Sequence, residues 1–182
     1  MNLMKRRPGR RAITATAVAG LALLAPAVAW GATAGHAAPR AAGVAKCANF
    51  TTYVWLADAP NAAGPVEGYP IEFTNLGSHA CWLAGYPGVQ GVTASGHAIG
   101  PAARRYSGTA QRVTIKPDQT AHAELLITIK GFITCHNANG AGLGVYPPNQ
   151  TERQFVYNFT FAACTNKAYL SVLPVQAGIG VP

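Results

Sequence analysis

Residues 121–130 read Ala121-His122-Ala123-Glu124-Leu125-Leu126-Ile127-Thr128-Ile129-Lys130. In an extended chain Ala121, Ala123, Leu125, Ile127 and Ile129 fall on one side, and His122, Glu124, Thr128 and Lys130 on the other. Only Leu126 breaks the alternation. Successive side chains of a strand point to opposite faces, so this stretch predicts a strand with one face in a core and one in water. The same period recurs on either side. Phe155, Tyr157, Phe159 and Phe161 make a second apolar face, and Tyr69, Ile71 and Phe73 a third, with Pro70 suggesting a sheet edge or a strand start because it has no N–H to donate. Shorter runs lie at 50–56, 80–84, 88–94, 111–116, 142–146 and 168–174. Turn-forming residues separate them, at Asn75-Leu76-Gly77-Ser78, Tyr86-Pro87-Gly88, Ala94-Ser95-Gly96-His97, Pro117-Asp118-Gln119 and Pro147-Pro148-Asn149. No window carries a helical stripe of ten residues.

Many short strands with regular turns predict an all-β domain, an immunoglobulin-like antiparallel β-sandwich with two disulfides, spanning 47–182. Its four cysteines are Cys47, Cys81, Cys135 and Cys164. An even number in an exported chain argues for disulfides. Three connectivities are open; Cys47–Cys81 with Cys135–Cys164, closing one loop in each half, is the favoured one. A zinc site is the rival, but no cysteine sits in a C-x-x-C pair, and His136 directly follows Cys135.

The export expectation comes from residues 1–37, which read as a secretory signal peptide. Lys5, Arg6, Arg7, Arg10 and Arg11 form a basic head, an uncharged stretch runs from Ala12 to His36, and small residues follow at Ala32-Thr33-Ala34 and Gly35-His36-Ala37. Pro26 and many small residues weaken the stretch as a permanent membrane anchor. Residues 38–46, rich in Ala and Gly, read as a flexible leader. The whole chain carries 14 Lys and Arg against 6 Asp and Glu, a net of +8 that invites a nucleic-acid reading. Five of those bases sit in the signal, leaving nine against six, with Arg104-Arg105 the one adjacent basic pair. No basic stripe remains, so nucleic acid is not an expected partner. The expected destination is secreted and extracellular, without a permanent membrane anchor.

A series of segments resembles the domain of unknown function 4232 family of exported actinobacterial proteins. They are Thr74-Asn75-Leu76-Gly77 ahead of Cys81, Leu83-Ala84-Gly85-Tyr86-Pro87-Gly88-Val89, Gly96 with Ile99-Gly100, Val113 to Pro117, Leu143-Gly144-Val145-Tyr146-Pro147-Pro148, and Cys164. The resemblance runs from about Cys47 to Val175. Asp118 departs from it, standing where the family usually has Gly. It implies a secreted β-sandwich and carries over no catalytic residue.

Chemistry is sparse. The acids are Asp58, Glu67, Glu72, Asp118, Glu124 and Glu152, and the histidines beyond the signal are His79, His97, His122 and His136. There is no G-x-S-x-G elbow. Ser95 and His97 lie in a predicted turn. Glu72, Glu124 and His122 sit on polar strand faces, where they could converge as acid and base or simply face solvent. Gly140-Ala141-Gly142-Leu143-Gly144 lacks phosphate-loop spacing and reads as a mobile connection between strands. No catalytic residue, cofactor or metal is assigned. Tyr53 and Trp55, alternating with Val54 and Leu56, are the candidate recognition surface. Trp82 beside Cys81 is expected in the core, over a disulfide. The expected function is a non-catalytic domain binding a cell-wall polymer, another cell-envelope component or a secreted protein. The alternatives are a small secreted hydrolase or lyase using strand-borne carboxylates, and an inhibitor of extracellular proteases presenting the Cys81 to Gly88 loop.

Overall fold

Alternation of the kind seen at 121–130 produces fourteen strands in the computed structural model, which describes residues 43–57 and 60–180. In chain order they are β1 (Ala45–Lys46), β2 (Thr52–Leu56), β3 (Asn61–Ala63), β4 (Val66–Asn75), β5 (Cys81–Ala84), β6 (Gly88–Val92), β7 (Ala98–Ile99), β8 (Arg104–Arg105), β9 (Arg112–Ile115), β10 (Thr120–Thr128), β11 (Asn137–Tyr146), β12 (Gln154–Cys164), β13 (Leu170–Val172) and β14 (Gln176–Ala177). The predicted signal peptide lies outside the described residues, as does the leader up to residue 42. No helix among the described residues is long and apolar enough to cross a membrane.

β10 organises the largest sheet. It pairs antiparallel with β4 from Thr120↔Thr74 to Thr128↔Val66, and on its other edge with β13 and β14. β2 and β3 flank the far edge of β4, and β8 runs parallel to β13, making seven strands. A four-stranded sheet has the order β12-β11-β6-β7, and a three-stranded one the order β1-β5-β9 with β1 parallel to β5. The all-β class is thus as expected, while the third sheet and the two parallel pairings depart from a purely antiparallel two-sheet plan.

The inward faces of all three sheets meet in one core. Ala121, Ala123 and Leu125 from β10 are buried with Ile71 and Phe73 from β4, Leu143 and Val145 from β11, and Leu83 from β5. Tyr69 and Phe159 meet edge to face at 4.8 Å between the two larger sheets. Disulfides Cys47–Cys81 and Cys135–Cys164 tie the edges, in the favoured connectivity.

Three local expectations change. Pro70 lies inside β4, in the middle of its sheet. Its carbonyl accepts Ala57 N–H at 3.0 Å, and β2 ends opposite Ile71 while β3 begins opposite Gly68. The N–H that proline lacks would point into the gap between β2 and β3, so no ladder bond is lost. The aromatics of β12 do not share one face: Phe159 and Phe161 pack on the core, whereas Phe155 and Tyr157 are 38% and 48% exposed. A register shift between Gly140 and Gly142, opposite Asn158 at φ 63°, separates the two pairs. Finally, Gly140 to Gly144 is strand throughout, paired with β12 on one edge and with β6 from Gly142 on the other, and Gly140 leaves room for the ring of Phe161 where a Cβ would go.

Candidate recognition face

β2 buries Thr52 and Val54, so its parity turns Tyr53 and Trp55 outward. Trp55 lies opposite Glu72, Glu72 opposite His122, and His122 opposite Gln176; one row along, Tyr53 lies opposite Thr74 and Thr74 opposite Thr120. Glu124 lies opposite Pro70. Directly paired residues project from the same side of a sheet, so four strands place these groups on one outer face. Tyr53 is 54% exposed and Trp55 half-buried. The indole Nε1 of Trp55 donates to Thr74 Oγ1 at 3.0 Å, and Thr74 and Thr120 share a hydroxyl hydrogen bond of 2.9 Å. The Thr74 hydroxyl thus bonds both the indole and the Thr120 hydroxyl, and the ring is held in place.

Residues Gly178–Gly180 cross the other half of this face. His122 Nδ1 donates to Gly178 O at 2.9 Å, and Gly180 N–H donates to Glu72 Oε1 at 2.8 Å. A Cβ on Gly180 would run into Pro70 Cβ, so only glycine fits there. Glu72 is consequently 0% exposed, and its Oε2 has no hydrogen-bond partner. Burial pushes the Glu72 carboxyl above its ordinary range; the Gly180 N–H and His122 pull it back, and Glu124 adds to the rise. Burial raises Glu124 as well, opposed by His122.

Glu72, His122 and Glu124 are therefore brought together, in the register sequence alone left open. Among the described residues no side-chain hydrogen bond joins them, and the chain end lies over Glu72. Tyr53 and Trp55 share the face with them. Sequence reasoning missed the covering segment, whose one signal is the glycine spacing of Gly178-Ile179-Gly180. It missed Thr74 and Thr120 as well, since hydroxyls on a polar strand face carry no pattern of their own.

Other singled-out residues lie elsewhere. Trp82 is not in the core: β5 turns Cys81 and Leu83 inward, which forces Trp82 outward, where the Arg112 guanidinium sits 4.1 Å from its ring centre. Ser95 Oγ and His97 Nδ1 are 2.8 Å apart in an exposed turn, with Thr93 Oγ1 also on Ser95. The loop from Cys81 to Gly88 is half strand, and Tyr86 OH is tied to Gly108 O at 2.9 Å. No group of three or more His, Cys, Asp and Glu able to hold a metal ion occurs among the described residues.

A family model described as Domain of unknown function (DUF4232) matches residues 47–176. No curated protein and no solved structure matches the chain.

Proposed function

The chain belongs to that family, and from this premise we propose that it is a secreted, non-catalytic recognition domain that binds a cell-envelope component or an extracellular protein. The observation that carries this reading is the aromatic pair on an outer sheet face: Tyr53 is exposed, and Trp55 is held through Thr74. Rigid Tyr and Trp side chains supply contact area at little entropic cost and dominate many recognition surfaces. The basic, apolar and small-residue order of residues 1–37 and the two disulfides support export.

The test is retention of isolated cell walls and of secreted proteins by the immobilised full chain, beside its Tyr53→Ala/Trp55→Ala variant. Retention by the parent and a loss of about ten-fold in the variant are expected. No retention by the parent, or equal retention by both, sinks the reading. A small hydrolase or lyase is a second reading, supported by the neighbouring positions of Glu72, His122 and Glu124. It requires residues 178–180 to move off Glu72, and turnover of a wall polymer that Glu124→Gln abolishes would favour it.

A further inference from the structure

The residues that line the aromatic face include none from Leu83 to Val89 or Leu143 to Pro148, the longest motifs of the sequence. Those two segments meet elsewhere, around a cavity of about 550 Å³. We propose that this cavity is a second binding site, independent of the Tyr53–Trp55 face, for a carboxylate-bearing sugar unit such as a hexuronic acid.

Its size falls within the roughly 300–1,000 Å³ of small-molecule sites. Its walls are tied together before any ligand arrives. Asn149, the residue after the second segment, donates from Nδ2 to Ala84 O at 2.7 Å, and Val175 N–H donates to Gly85 O at 2.8 Å. Gly88 pairs with Tyr146 across β6 and β11, and a Cβ on Gly88 would press within 3.3 Å of the Tyr146 side chain. Gly85, at φ +96°, makes the turn that an L side chain resists. Ordering costs on binding are correspondingly small.

The lining groups define the ligand. Arg105 is the single charged residue among them, and no acid accompanies it. Its backbone is set by the parallel pairing with Val172, and its guanidinium lies 5.5 Å from the ring centre of Tyr86. A guanidinium packed on a ring face still offers its edge N–H groups, which match a carboxylate in two-point geometry. Tyr146, 38% exposed, offers a ring for the C–H face of a sugar. Gln150 Nε2 donates to Thr52 Oγ1 at 3.2 Å, which ties this wall to β2. One guanidinium without a competing acid and one exposed ring together suit an acidic sugar, whose carboxylate meets the first and whose C–H face meets the second, better than a neutral sugar or a bare anion.

The experiment titrates D-glucuronate into the oxidised full chain, following amide shifts by NMR, with glucose, acetate and a short peptide bearing a free C-terminal carboxylate as competing probes. Saturable binding of glucuronate is expected, with shifts confined to the two motif segments and Arg105. Arg105→Gln should weaken it about ten-fold, and Tyr146→Ala several-fold. Arg105 is exposed on a short strand, so its variant reports on binding rather than folding. Tyr53→Ala/Trp55→Ala should leave glucuronate binding unchanged, which separates this site from the aromatic face. Glucose or acetate bound as well as glucuronate, a preference for the peptide, absence of saturation, or binding that survives Arg105→Gln would each overturn the proposal.

Discussion

Glu72 shows how one side chain can stand against its local pattern. On the outward parity of β4 a carboxylate is ordinary, yet the chain end buries it and leaves one oxygen without a partner. Because burial raises its folded-state pKa, the stability it contributes is fully present below the ordinary value of 4.5 and is lost as pH rises through the raised value. Glu124 acts in the same direction. Melting temperature should therefore fall as pH climbs through the weakly acidic range above 4.5. Glu72→Gln should flatten that slope, since a neutral amide can keep the Gly180 contact without a charge; thermal melts at stepped pH check this. An unchanged slope in Glu72→Gln/Glu124→Gln would show that other groups set it. Asn75 is the converse case: it is buried but satisfied, donating to His79 O and Ile115 O and accepting from Gly77 N–H. The Thr74-Asn75-Leu76-Gly77 motif thus reads as the clamp on the loop leading to Cys81.

Among the elements, β10 was the most legible and β12 the least. Nine paired positions hold β10 to β4, and its alternation survives intact in the burial of Ala121, Ala123, Leu125 and Ile127. Leu126, the residue that broke the pattern, lies on the outer face opposite Gly68 and Ser171. Leu125→Ala should cost about 2–5 kcal/mol, the range for large-to-small changes in a core. Leu126→Ala should cost less, because it is only half-buried. Urea unfolding of the two variants checks the register, and equal costs would contradict it. In β12 the aromatic spacing is as regular as in β10, yet the register shift at Asn158 sends its two halves to different surroundings. A bulge adds residues without altering the period read from composition, so alternation alone could not place it. Pro70 misled for a related reason: whether a missing N–H matters depends on where the neighbouring strands end.

At the scale of the whole molecule, the two disulfides close loops with sequence separations of 34 and 29. Loop-closure entropy gives each about 3–4 kcal/mol. Cys47→Ser/Cys81→Ser and Cys135→Ser/Cys164→Ser should each lower unfolding free energy by about that much in denaturant titrations, and a loss under about 1 kcal/mol for either pair would show that its reduced chain keeps its loop closed. The sequence by itself determined the all-β class, most strand positions, the even set of cysteines and that Tyr53 and Trp55 share one face of a strand, because alternation and turn chemistry are written in adjacent residues. Only the tertiary structure decided that Tyr53 and Trp55 face outward, that Trp55, Glu72 and His122 share a row, that Gly178–Gly180 covers its Glu72 and His122 part, and that two distant motifs line an open cavity together with Arg105. Those meetings depend on strand register and on where the chain end docks. Both are set by burial of residues far apart in the chain, which no local window contains.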